Sequence, residues 1–415
     1  SYINTAMENN KIKYVAISNP SNNEVSLTYA VSIDLSSEFD REHLGWKWLR
    51  NKEEGKPYPR TDEVVQSGVA KYRDSVIPKH VHEDLASGKC EKLILNYVTE
   101  GYHDLDWDYV STIFGVEKSK IIWITSVWNP TSLDSQSEVT VLFGNFWEHF
   151  VWRLMESAWN PKTKLFEESH VAVGYKQQIQ DIKDLKIRKY HGLNYNRIPH
   201  IHRAFILAKL KQEELLGRTA YSWGGEENSH EVWDDERLGR FWNYGFDKGF
   251  LLQEDHISFI EILKSKPITF PNEELKTNKA DSINFDHIST AYFQIVNETH
   301  VENSSDCPYL SEKSYKSFAS GMPFVMWGNA FTLKALSEKG YDCYHHWINQ
   351  SYDEIVDDGE RLEALMIEIK RLYAIPPEQW SIMLKEMLPV IEHNHLRLNK
   401  NCQVAYNILS NVIPC

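Results

Sequence analysis

The chain has 415 residues, more than one hydrophobic core usually serves, so two domains are expected. Hydrophobic content of 42% and charged content of 25% are those of a soluble globular protein, and no apolar run approaches the ~18 residues of a membrane span. A net charge of −14 argues against a broad nucleic-acid-binding face, though not against a local basic groove. The five cysteines (Cys90, Cys307, Cys343, Cys402 and Cys415) are scattered, and no pair has zinc spacing. They read as reduced thiols of a cytoplasmic protein. The N-terminal SYINTAMENNKIKYV lacks the basic-then-apolar pattern of a secretory leader. Fourteen Trp and 21 Tyr make the chain aromatic-rich, and most of these rings are expected in the core.

In chain order, KIKYVAIS and EVSLTYAVSID read as strands, and 38–60 as a charged, aromatic surface excursion. KLILNYV is a strand, DLDWDYVSTIFGV a helix and KIIWITSVWNP a second strand, together one βαβ unit. EVTVLFGNFW follows as a strand and FVWRLMESAW as a helix. A second alternation begins near Lys186. IRKYHGLNYN is a strand, and IPHIHRAFILAKLKQEELLG an amphipathic helix with Pro199 near its first turn and Gly217 at its end. RTAYSWGG and STAYFQIVNET are strands, with weakly periodic helices and a long loop over 226–285 between them.

Next comes PYLSEKSYKSFASGMPFVMWGNAFTLKALSEKGYD. Ser311 is placed to cap a helix that Gly321 and Pro323 end. PFVMWG is a buried parallel strand, and Asn329 and Gly340 bracket another helix. The tail is helical, with a break at Pro389. Two doubly wound α/β domains follow, 1–185 and 186–380, with helices over 381–415.

Three constellations can carry chemistry. Arg197, with Arg203, stands where a strand end meets a helix start, and both could grip a diphosphate. Glu298 and Glu312 supply carboxylates suited to ribose hydroxyls, beside Lys313 and Lys316, which can neutralise phosphate. Equally, Glu312 and Lys316 could be an ordinary i, i+4 surface pair. Glu100, at the end of NYVTEGY, is a candidate general base; Glu148 and His149 are weaker ones. No residue is assigned to a metal, and the acids of DLDWD leave metal dependence open. The phosphate-binding glycine fingerprints and the GxSxG elbow are absent.

Several of these segments resemble, in order, motifs of glycosyltransferase-like proteins encoded by large DNA viruses and tailed phages. YLSEKSYKSFASGMPFVMWGNAFTLKALSEKGY resembles their TEK-type tripeptide, following lysine, G-x-PF strand and Leu-rich helix, with Ser311 in the Thr place. LNYNRIPHIHRAFILAKLKQEELL resembles their asparagine-arginine strand end and Pro-x-x-His-Arg helix, and NYVTEGY their Glu-Gly strand end. The likeness runs over about 90–400, and a related helix occurs in fucosyltransferase-like enzymes.

The resemblance implies a GT-B fold, with two Rossmann-like domains, 1–185 and 186–380, facing a cleft and the helices of 381–415 packing back toward the first. The second domain would hold a nucleoside diphosphate sugar through Arg197, Arg203, Glu298, Glu312, Lys313 and Lys316, as co-substrate and with no tightly bound cofactor. The sugar would pass to an acceptor hydroxyl with Glu100 as base. The acceptor would be a hydroxymethylated base in phage DNA, reached over the basic stretch LKIRKYHGLNYNRIPHIHR, or else a glycan. The setting would be cytoplasmic, in a host cell if the protein is viral. The alternative is a non-catalytic viral module that keeps the two-domain shell and binds glycan without turnover.

Overall fold

The computed structural model describes residues 12–18, 27–34, 83–84, 86–87, 90–97, 111, 115–125, 138–143, 146–156, 158–160, 165–226, 233–268, 282–299, 301 and 308–412. The chain divides into two compact units. One is Ser1–Phe146 with Gln403–Cys415; the other is Trp147–Cys402.

The first unit carries a five-stranded sheet in the order β1 (Ile12–Ser18), β2 (Leu27–Asp34), β3 (Cys90–Tyr97), β4 (Ile121–Thr125), β5 (Thr140–Phe143). The first pair is antiparallel and the rest are parallel. The expected strands are therefore present, but the doubly wound expectation needs correcting for this unit. Among the described residues the strands lie in chain order with no reversal, and β1 pairs with β2 as an antiparallel edge. The expected DLDWD helix start lies outside the described residues.

The second unit begins with helix α1 (Phe146–Met155, all but its first residue), a short hairpin of β6 (Ala158–Asn160) and β7 (Leu165–Glu167), and helix α2 (His170–Lys183). Its main sheet holds β8 (Tyr190–Asn194), β9 (Thr219–Tyr221), β10 (Ala291–Asn297) and β11 (Phe324–Trp327), in the order β11-β10-β8-β9 and wholly parallel. The chain starts in the middle at β8, moves outward to β9, then crosses to the other side for β10 and β11. This is a doubly wound sheet, and its order reverses between β8 and β10. At such a point two crossover helices diverge and leave a crevice at the carboxyl ends of the strands.

Every residue of β10 and β11 is buried, as a parallel sheet covered on both faces requires. Helix α3 (Ile201–Gln212) is buried at every residue from Arg203 to Leu210. The sequence pattern gave it one apolar face, but tertiary packing closes round all of it, including Lys209, which pairs with Asp255 and Glu363. It ends at Glu213–Glu214, with Glu214 left-handed, ahead of Gly217. Helices α4 (Asp235–Asp247), α5 (His256–Leu263) and α6 (Phe285–Ile288) fill the weakly periodic region. Trp223, Trp327 and Trp380 are among the largest fully buried side chains, so the aromatic content goes substantially into the core.

Helix α7 (Glu312–Ser320) starts at Ser311, whose Oγ accepts from the Lys313 N–H, and stops at Gly321, left-handed with φ 69°. Helix α8 (Thr332–Glu338) follows β11, but Asn329 is not its cap. Phe331 holds that position in a left-handed conformation. The Asp353 carboxylate accepts from the Leu333 and Lys334 N–H groups at 2.9 and 3.0 Å. A distant carboxylate thus does what a neighbouring side chain was expected to do. Helices α9 (Asp358–Tyr373), α10 (Pro377–Glu386) and α11 (Leu388–Val412) complete the chain, with the break at Met387 and Pro389 in the first turn of α11.

Candidate functional site

At the carboxyl ends of β8 and β10 the backbone leaves the sheet through two polar turns, Asn194–Arg197 and Asn297–Thr299. Three buried asparagines knit them together. Asn297 Nδ2 donates to Asn196 Oδ1 at 2.8 Å, Asn196 Nδ2 to Asn194 Oδ1, and Asn194 Nδ2 to the Ile295 carbonyl at 2.7 Å. Asn297 Oδ1 is buried with no hydrogen-bond partner. The turn after β9 packs against the first of these. Gly224 donates its N–H to the Asn196 carbonyl at 2.9 Å, and a Cβ there would lie 1.9 Å from the Arg197 carbonyl oxygen. Only glycine permits that approach.

Glu298, directly after β10, is 0% exposed. Its Oε1 accepts from the Ser311 N–H at 3.2 Å and the Ser314 hydroxyl at 2.5 Å, and its Oε2 from the Thr299 N–H at 3.1 Å. The carboxylate fastens the start of α7 to the end of β10. Its own carbonyl is bonded to His202 Nε2 at 3.0 Å. Burial, first, and then the neighbouring Arg203 hold the His202 imidazole well below the ordinary histidine range, so it is neutral.

Glu312, Lys313 and Lys316 open α7 at partly buried positions. Lys313 Nζ lies 3.1 Å from Glu312 Oε1, and donates to Thr299 Oγ1 at 3.1 Å and Ser311 Oγ at 3.2 Å. Burial pushes the Glu312 carboxyl up, but Lys313 and Lys316 outweigh it and leave it below the ordinary value. Arg203 is 5% exposed. Nη1 donates to the Ile198 carbonyl at 3.0 Å, while Nε is buried without a partner. Burial lowers its pKa to about 10, against the pull of Glu312 and Glu298, so it stays charged at neutral pH. Arg197 is close enough to push the same way.

The sequence-predicted residues Arg197, Arg203, Glu298, Glu312, Lys313 and Lys316 therefore gather at one point: four cationic groups against two carboxylates, where the sheet order reverses. A surplus of positive charge beside a helix N-terminus suits an anionic ligand. Sequence reasoning missed the asparagine link and Gly224, although NYN and WGG were visible.

Glu100 lies outside the described residues. Glu148 does not face a site: it is 5% exposed, accepts from Tyr341 and Asn401, and pairs with Lys339. The basic stretch 185–203 is divided, with Lys186 and Lys189 exposed and Arg197 half-buried. Arg188 is buried at the other end of β8, donating to the Ile288 and Ala291 carbonyls, and Arg203 is buried as well. Among the described residues no three His, Cys, Asp or Glu groups come together as a metal site would need, and no helix is long and apolar enough to cross a membrane. Cys343 and Cys402 are buried free thiols.

No protein-family model matches the chain, and no curated protein matches it. A solved glycosyltransferase structure from Rickettsia africae ESF-5 aligns with 92% of this chain and 90% of its own, at 12% sequence identity and a TM-score of 0.34.

Proposed function

We propose that the protein is a glycosyltransferase of two-domain, GT-B type, whose second unit holds a nucleoside diphosphate sugar at the β8/β10 crevice. The observation that supports this most is the cationic cluster of Arg197, Arg203, Lys313 and Lys316 at the reversal of a doubly wound parallel sheet. The sequence resemblance of the same segments to glycosyltransferase-like proteins supports it independently. In this reading Lys313, Lys316 and the two guanidinium groups bind the diphosphate, and Glu312 meets the ribose hydroxyls. Glu298 acts from behind, by fixing the helix that carries them.

Transfer would form a bond between the acceptor oxygen and the anomeric carbon. The bond from that carbon to the phosphate oxygen would break, and its electron pair would leave with the diphosphate. Charge grows on the leaving group as that happens, and prearranged cations stabilise it most at that stage. The acceptor proton would pass to Glu100. The burial of Arg188 and Arg203 leaves the basic stretch 185–203 with fewer cations for a DNA backbone, which favours a glycan acceptor.

Calorimetry and thermal shift with UDP, GDP and ADP, and with their sugars, test the reading. One nucleotide should stabilise the protein, and its sugar should be hydrolysed slowly without acceptor. No binding by any of them would overturn the proposal. Binding with no hydrolysis or transfer would point to a glycan-binding module. Glu100→Gln should then lower turnover and leave nucleotide affinity unchanged.

A further inference from the structure

The chain passes between the two units twice, at Phe146/Trp147 and at Cys402/Gln403. On the side of the second unit both crossings are tied to one buried cluster. Glu148, one residue past the first crossing, accepts from Asn401 Nδ2 at 2.9 Å, one residue short of the second. The same carboxylate accepts from the Tyr341 hydroxyl at 2.6 Å and pairs with Lys339 at 2.7 Å. Trp152 Nε1 adds a bond to Asn399 Oδ1 at 2.9 Å. Glu148 and Tyr341 are buried and their polar atoms are spent on each other, Asn401 and Lys339, so the cluster reads as a fastening.

Helix α7 joins this fastening to the candidate donor site. Tyr309, 4% exposed and two residues before the Ser311 cap, accepts from Trp147 Nε1 at 2.8 Å. Tyr315, fully buried on α7, stacks edge-on with Tyr341 at 6.0 Å, and Phe318 lies flat on Tyr341 at 4.3 Å. Burial, and then the carboxylates of both Glu148 and Glu298, push the Tyr315 hydroxyl well above its usual range. One helix thus has Lys313 and the Glu298 anchor at its first turn and the crossing cluster along its flank.

We infer that occupancy of the α7 N-terminus is coupled to the rigidity of both chain crossings, with Tyr309 and Trp147 as the positioning residues that carry the link. This rests on the donor-site reading above. A ligand that pins the first turn of α7 holds Tyr309, hence Trp147, and the Glu148 cluster through Tyr315 and Tyr341. By reciprocity, loosening the crossings must weaken the ligand by the same factor.

Hydrogen exchange of the full chain, with and without the tightest-binding nucleoside diphosphate, is the test. In the wild type, amides of 311–316 and of both 147–152 and 398–402 should slow, the latter two by about fivefold or more. In Tyr309→Phe the slowing at 311–316 should persist while that at 147–152 falls by about half or more, the Tyr315–Tyr341–Glu148 path carrying the remainder. Trp147→Phe should do the same, and serves if the first variant is unstable. Protection at 311–316 with no change at either crossing in the wild type overturns the inference and leaves the donor site standing. Unaltered coupling in both variants removes Tyr309 and Trp147 from it. Absence of protection at 311–316 overturns the donor site and the coupling together.

Discussion

Two neighbouring helix starts in the second unit solve the same electrostatic problem in opposite ways. Helices α7 and α8 flank β11, and each presents a positive N-terminal end. At α8 the end is filled by the protein itself: the Asp353 carboxylate, 5% exposed, takes the Leu333 and Lys334 N–H groups, and the Asp353 carbonyl takes that of Phe331. At α7 the Ser311 hydroxyl takes the Lys313 N–H and the buried Glu298 carboxylate takes the Ser311 N–H ahead of the helix and the Ser314 hydroxyl, while Lys313, Lys316 and Arg203 add positive charge around it. A helix start whose own N–H groups are taken by a buried carboxylate is structure. One surrounded by excess cations, with an orphaned guanidinium nitrogen, is arranged for an anion that comes from outside. The buried arginines repeat the contrast. Arg361 spends its donors on the carbonyls of Gly328, Ile355, Val356 and Val301 and on Asp358, whereas Arg203 spends one on Ile198.

Four experiments would break or sharpen this contrast. Asp353→Ala should cost about 2 kcal/mol of stability in urea melts, by unpairing the buried Leu333 N–H and the part-buried Lys334 N–H, and leave nucleotide affinity unchanged. A normal melt would mean that α8 needs no filler. Lys313→Ala should do the reverse, weakening nucleoside diphosphate binding about 10- to 100-fold in calorimetry with little change in melting. Equal loss of stability and affinity would make the two helix starts alike. Arg203→Lys keeps the charge but not the fork, and should weaken binding about threefold to tenfold, with Arg361→Lys affecting only the melt.

The smallest effect is on pH dependence. Burial, against the Ala319 and Phe318 carbonyls, lowers the His395 pKa from 6.5 to about 4. The unfolded chain takes up that proton first, so stability falls as pH drops from 6.5 to about 4. Asp353 opposes this. Burial raises its pKa from 3.8 to about 6, so its contribution is full below 3.8 and is lost as pH rises to about 6. Asp353→Asn should therefore steepen the acid loss of melting temperature and His395→Gln should flatten it. The same profile in both variants would remove these groups from the account.

What was legible in the sequence was local. Ser311 and Gly321 announce the ends of α7 because a hydroxyl cap and a left-handed residue act within a turn, and β11 is legible as an apolar run of strand length. Arg197, Arg203, Lys313 and Lys316 were legible as a set through their places at strand ends and helix starts. What escaped was set by packing between distant segments. Nothing near Arg203 says that its helix is enclosed on all sides. Nothing near Glu298 says that its carboxylate is spent on Ser311, Ser314 and Thr299. Asp353 caps a helix twenty residues upstream, and only the fold joins them.

The division of the chain has a consequence for synthesis. Trp147–Cys402 is one continuous stretch, whereas the first unit also draws on Gln403–Cys415. Growing from its N-terminus, the chain can complete the second unit once residue 402 has emerged. The first unit, although begun earlier, must wait for Gln403–Cys415 before its own set of contacts can close. The order of maturation is thus the reverse of the order of translation, and a truncation after residue 402 should injure the unit made first.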